Sequence, residues 1–233
     1  MKAWVYVEGR SDELALQALW SGWRGRLQAA GHSIKVIPLD DKQRFFHRLG
    51  SRAADKFVAN AQDLVVGLPD LYPNKPFESG PCRHADLAEL QAVQRRLVEE
   101  GLRKRSDVAP DSVSTLLGRF HPAALKHDLE MLLLAAKDEL RRVLDTQDKL
   151  GHWRLPVEEQ NQDKPPKFVV EELFRTKSRE RRAYRETRDA PKVLGAVSDV
   201  QSLLHTESGQ LNCPVFKAML DWLGQRFGIP AYA

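Results

Sequence analysis

The sequence is poor in cysteine, has no long apolar run and carries no phosphate-binding glycine loop, and each absence removes a class of protein. Only Cys82 and Cys213 occur among 233 residues. A disulfide framework is therefore not expected, and a reducing cytoplasm is the expected setting. No stretch is long and apolar enough to cross a bilayer, and Met1-Lys2-Ala3-Trp4 leads straight into a strand-like run rather than a signal peptide. No membrane association is expected. A Gly-x-x-x-x-Gly-Lys-Ser/Thr segment is missing, which argues against an intrinsic P-loop ATPase. There is no Gly-x-Ser-x-Gly elbow and no visible Cys–His nucleophile arrangement. Cys82, His84 and the remote Cys213 match no standard zinc module.

What is present fits a globular protein with a sizeable core, with 42% hydrophobic and 29% charged residues. The net charge of +4, from 36 basic and 32 acidic side chains, is too small to diagnose a nucleic-acid partner. Its distribution is more informative. Arg175, Lys177, Arg179, Arg181, Arg182, Arg185 and Arg188 crowd one segment, and Arg103-Lys104-Arg105 forms a second cluster. Such clusters either neutralise phosphates or form a solvated helix face, and the interleaved Glu180 and Glu186 favour the second.

The first half alternates strand and helix signals. Ala3–Val7 reads as a strand ending on Glu8. Gly9 then allows a turn, and Ser11 or Asp12 can cap a helix running through Leu19. His32–Pro38 and Asp63–Leu68 read as further strands around a helix over Asp41–Ala61. A loop through Pro73, Pro76, Gly80 and Pro81 leads to a helix over Ala85–Leu102, followed by a polar break near Pro110. Gly118–Lys126 reads as another strand, running into a buried helix from His127 to Leu134. This predicts an α/β fold with a central, mostly parallel sheet flanked by helices. The remainder is mainly helical, and the apolar pattern from Val215 to Phe227 predicts helix packing. The polar loop from Val157 to Lys164 is the expected boundary between a core over residues 1–156 and a helical extension over 157–233, unless the two form one domain.

Three acids hold the chemical interest. Glu8 and Asp70 follow strands, at the edge where open α/β sheets bind ligands, and Glu130 opens an otherwise apolar helix. A hard divalent cation takes such carboxylates together with waters and substrate phosphate. Each acid also has a structural reading: a strand-end acceptor for Glu8, turn chemistry for Asp70, and a first-turn helix acid for Glu130.

The ordered series Val7-Glu8-Gly9-Arg10-Ser11-Asp12-Glu13, Asp70-Leu71-Tyr72, His127-Asp128-Leu129-Glu130-Met131-Leu132-Leu133, Pro165-Pro166-Lys167-Phe168, then Tyr184, Lys192, Cys213-Pro214-Val215-Phe216 and Trp222-Leu223 resembles the TOPRIM fold of topoisomerases, primases and overcoming-lysogenization-defect nucleases. It is most similar to a TOPRIM-like branch found in prokaryotic phage-defence loci beside ATP-binding-cassette-type ATPases. The resemblance implies a nuclease that cuts DNA or RNA with Mg²⁺ or Mn²⁺ and is controlled by a separately encoded ATPase. Under it, Glu8 is general base or metal ligand, Asp70 and Glu130 are metal ligands, and Lys167 stabilises phosphate charge in the transition state.

One departure stands out. Where many TOPRIM enzymes carry Asp-x-Asp, Tyr72 takes the second acidic position. A one-metal site, a site completed by Asp128 or Glu130, and a catalytically silent subunit that binds an ATPase or nucleic acid are all compatible with that change.

Overall fold

A computed structural model describes residues 1–72, 77, 79–159, 164–206 and 208–232. Pro73 and Pro76 of the expected loop, and residues 160–163 of the expected boundary, lie outside these.

Four strands, β1 (Lys2–Val7), β2 (Ser33–Pro38), β3 (Leu64–Leu68) and β4 (Phe120–Pro122), form one sheet in the order β2-β1-β3-β4, and every pairing is parallel. The α/β class with a parallel sheet flanked by helices is the one the alternation predicted, and it is consistent with a TOPRIM-like fold. Helices α1 (Arg10–Leu19) and α2 (Ser21–Ala29) connect β1 to β2, and α3 (Lys42–Ala59) connects β2 to β3. Helices α4 (Leu87–Arg103) and α5 (Val113–Leu117) precede β4. Then follow α6 (Glu130–Ala135), α7 (Lys137–Leu144), α8 (Pro166–Thr176), α9 (Glu186–Gly195), α10 (Gln201–Leu204) and α11 (Pro214–Phe227).

Alternation along β1 sends its side chains to two different cores. Ala3, Val5 and Val7 join an apolar cluster with α1, α6, α8, α9 and α11. Tyr6 joins a second cluster with Phe45, Phe46 and Leu49 of α3 and Leu90 and Val98 of α4. All five residues of β3 are buried, as a central parallel strand covered on both faces requires. The expected packing helix near the end of the sequence is α11, which buries Phe216, Met219, Leu220, Leu223 and Phe227. Glu158 ties the Val157–Glu159 turn to it by accepting the Val215 and Phe216 amides at 2.9 and 3.0 Å.

On the opposite face, α3 and α4 meet backbone to backbone at two glycines. A Cβ on Gly50 would lie 2.2 Å from the Leu97 carbonyl oxygen, and one on Gly101 would lie 2.4 Å from that of Gly50. Only hydrogen fits at either position.

The strand expected over Gly118–Lys126 is shorter than its sequence suggested. Continuous pairing covers Phe120–Pro122 and then thins to backbone bonds: Ala123 N donates to Gly67 O at 2.8 Å and Leu125 N to Pro69 O at 2.9 Å. Pro69 has no amide hydrogen to return to the Ala123 carbonyl, which accepts from Gln94 Nε2 at 2.8 Å instead. The interrupted pairing still guides the chain alongside β3 as far as Asp70, whose partner in an isolated parallel bridge is Leu125.

Candidate active site

The strand order reverses direction between β1 and β3, so their carboxyl ends flank the crevice where such sheets take ligands. Every strand delivers a polar residue to that edge. Glu8 follows β1 directly, and Asp70 lies two residues beyond β3. After β2, Leu39 N still bonds Val7 O at 3.0 Å, and the chain turns through Asp40 (φ 85°) and Asp41 into α3, whose first residue is Lys42. Beyond β4 the extended pairing carries the chain to Asp128 and Glu130. Together with Gly9, Ser11, Asp12, Leu129, Lys167 and Glu186, these residues line one cleft of about 290 Å³. Glu8, Asp70, Glu130 and Lys167, which sequence separates by as much as 159 positions, thus share one cavity.

The carboxylates are held by few donors. Asp70 N donates to Glu8 Oε1 at 3.0 Å. Gly9 N donates to Asp12 Oδ2 at 2.8 Å, so Asp12 closes the entry of α1 from within its first turn. Lys167 N, near the start of α8, donates to Asp128 Oδ2 at 3.1 Å. The Tyr184 hydroxyl donates to Glu130 Oε1 at 3.0 Å, and its ring packs on Phe174 of α8. Asp70 Oδ1 and Asp128 Oδ1 are buried with no hydrogen-bond partner among the described residues.

Burial of so much like charge pushes the acids toward their neutral forms. Desolvation raises Glu8 to about 7 against the opposing pull of Lys42, and raises Asp12 and Asp128 each to about 6. Glu130 is raised to about 8 by burial and then by Asp128. Asp70 lies at the centre: burial raises it well above the usual carboxylate range, and Glu8, Asp12, Asp128 and Glu130 all push the same way. A buried carboxyl cluster of this kind is costly unless protons or a cation neutralise it.

Two lysines oppose this charge. Lys42 Nζ donates to the Leu71 carbonyl at 3.0 Å; burial lowers its pKa while Glu8 and Asp70 hold it up. Lys167 is anchored elsewhere than its expected role suggests. Its ammonium pairs with Glu186; burial pulls its pKa down, but that bond and the charges of Glu186, Glu130 and Glu171 together raise it. Tyr72 turns its ring to His127, with centroids 5.5 Å apart, and is not part of the cleft lining.

Asp12, Lys42 and Glu186 line the cleft and Tyr184 supports Glu130 beside it, and none of the four is a strand-end acid. Asp12 was legible only as a helix cap, which it also is. Lys42 follows β2, and the strand order brings it to the same sheet edge as Glu8.

Oxygen-only donors and two orphaned buried carboxylate oxygens are the chemistry that a hard divalent cation satisfies. Among the described residues, no three His, Cys, Asp or Glu side chains are already set around a metal position. The donor set fits such an ion in its chemistry, through carboxylate oxygens alone.

The basic clusters are largely spent in ion pairs. Arg182 grips the fully buried Asp189 through two bonds of 2.7 and 2.9 Å, Arg188 adds one of 3.0 Å, and the Arg185 amide adds another of 2.9 Å. Arg179 pairs with Asp145, Lys177 with Asp148, Arg103 with Glu99, and Arg105 with Asp55 and Asp107. Cys82 and His84 make a local contact, His84 Nδ1 lying 2.8 Å from the Cys82 carbonyl. No helix among the described residues is long and apolar enough to cross a membrane.

No family model matches the chain, and no curated protein matches it. Among solved structures, it is similar to the C-terminal region of the OLD protein of Xanthomonas campestris pv. campestris, with 14% identity and a TM-score of 0.40 over 84% of this chain and 85% of that one. The functional reading therefore rests on the cleft and its residues.

Proposed function

We propose that the cleft hydrolyses phosphodiester bonds of DNA or RNA with the help of Mg²⁺ or Mn²⁺, and that a separate ATPase controls it in a prokaryotic antiviral system. The observation that carries the hydrolase reading is the gathering of Glu8, Asp12, Asp70, Asp128 and Glu130, two of them buried and three half-buried, around one cavity at the carboxyl edge of a parallel sheet. A core stabilised only by packing gains nothing from such a cluster, whereas a cation site needs it. The sequence resemblance supplies the substrate class and the ATPase partner. The scarcity of cysteine supports a cytoplasmic location.

Asp70, Asp128 and Glu130 would hold the ion, with Asp12 beside them and Glu8 as ligand or general base. The bound ion would polarise a phosphoryl oxygen and lower the pKa of an attacking water. The chain's own groups do the rest. Glu8, poised near neutrality, can take a proton from that water. Tyr184 holds the Glu130 carboxyl in one orientation. Lys167, at the cleft mouth, can exchange Glu186 for a substrate phosphate.

Glu8→Ala and Asp70→Ala should each lower cleavage at least ~100-fold in assays with DNA and RNA, Mg²⁺ or Mn²⁺, with and without the ATPase. Circular dichroism should remain native. If both variants cut like the parent, the assigned site is wrong.

Tyr72 favours a second reading, a silent TOPRIM-like subunit that senses or scaffolds. Such a module would gain no Glu8-dependent thermal stability from divalent ions.

A further inference from the structure

We infer that the Lys42 ammonium is a built-in cation that takes the place of a second divalent ion, making this a one-ion cleft; the inference rests on the metal-dependent reading above. Lys42 reaches the site by a specific route. Asp41 caps α3 by accepting the Arg44 amide at 2.7 Å, and Asp40 turns the chain in a left-handed conformation, so that the first helical side chain enters the cleft. Its Nζ is fixed by the Leu71 carbonyl at 3.0 Å and lies 5.5 Å from the centre of the Phe77 ring. Its charge acts on Glu8 and Asp70.

The tether and the missing acid belong to the same three residues. In Asp70-Leu71-Tyr72, the central carbonyl holds the ammonium, and the residue in the second acidic position is a tyrosine packed on His127. One negative charge is absent and one positive charge is present on the same flank. An ammonium beside Glu8 and Asp70 repels a divalent ion placed there, since both would compete for the same carboxylate charge. The opposite flank differs. There Lys167 acts on Asp128 and Glu130, but its ammonium is paired with Glu186, whose carboxylate offsets its charge. The one divalent ion therefore belongs with Asp70, Asp128 and Glu130, and Lys42 neutralises the Glu8 side.

The test is Mn²⁺ titration of the full chain by calorimetry, with electron paramagnetic resonance on the same samples and thermal melts to verify folding. The parent protein should bind one Mn²⁺ and give an isolated-ion spectrum. Lys42→Arg, which keeps the charge, should also bind one. Lys42→Gln, which keeps a donor for the Leu71 carbonyl but loses the charge, should bind two and show spin coupling. Two ions in the parent, or one in folded Lys42→Gln, would overturn the inference while leaving the metal site standing. No Mn²⁺ in the parent would overturn both. If Lys42→Gln does not fold, Lys42→Met serves as the neutral variant, and the parent's stoichiometry still decides the matter.

Discussion

The Asp70 amide donates to the Glu8 carboxylate at 3.0 Å, joining the residues that leave two neighbouring parallel strands. This bond sets the register of the cleft. It spends one oxygen of Glu8 on the backbone and leaves the Asp70 side chain, with its orphaned Oδ1, at the centre of four other carboxyls. A substitution at Glu8 is therefore felt by the backbone at Asp70 as well as by any ligand.

The buried acids make stability depend on pH in a defined direction. Glu8 at about 7, Glu130 at about 8 and Asp70 well above its ordinary range all lie above their unfolded values. Their contribution is complete below the unfolded values, near pH 4, and is lost as pH rises through the folded ones. His121, which burial holds at about 4, acts in the opposite sense but only below about pH 6.5. Between pH 6.5 and 8.5 the carboxyls dominate. The metal-free protein should melt at least ~2–4 °C lower at pH 8.5 than at 6.5, and saturating Mn²⁺ should remove or reverse that difference. A higher melting temperature at pH 8.5 in the presence of a chelator would contradict the assignment.

Tyr184→Phe deletes only the hydroxyl that orients Glu130. Groups that fix a metal ligand's orientation are typically worth ~10–100-fold in affinity. Mn²⁺ affinity measured by calorimetry should fall at least about tenfold, with stability changed by no more than ~1.5 kcal/mol. An unchanged affinity would show that Glu130 is not a ligand.

Gly50→Ala drives a methyl group into the Leu97 carbonyl at the crossing of α3 and α4. Neither backbone can yield without shifting a helix, so a loss of ~1–3 kcal/mol or more is expected in denaturant unfolding. An Ala variant as stable as the parent would mean that the helices pack less closely than described.

The frame was legible in the sequence because alternating apolar residues mark strands whatever their neighbours, and Glu8 and Asp70 were legible because they follow such strands. The end of β4 was not, since the ladder is interrupted from the other strand, where Pro69 lacks the amide hydrogen to continue it. Asp12 hid behind its role as a cap. Lys42 hid because a lone lysine at a helix start carries no pattern; only the strand order places it beside Glu8. The anchoring of Lys167 by Glu186 depends on α8 and α9 meeting, which short-range sequence signals do not specify.

The most direct measurement is a crystal structure with Mn²⁺ present, using anomalous scattering to locate the ion. The account predicts one Mn²⁺ peak against Asp70, Asp128 and Glu130, with water-filled coordination positions open to the cleft and the Lys42 ammonium still beside Glu8. A cleft without an anomalous peak at saturating Mn²⁺, its acids still apart, would contradict it and leave a binding subunit as the function of this fold.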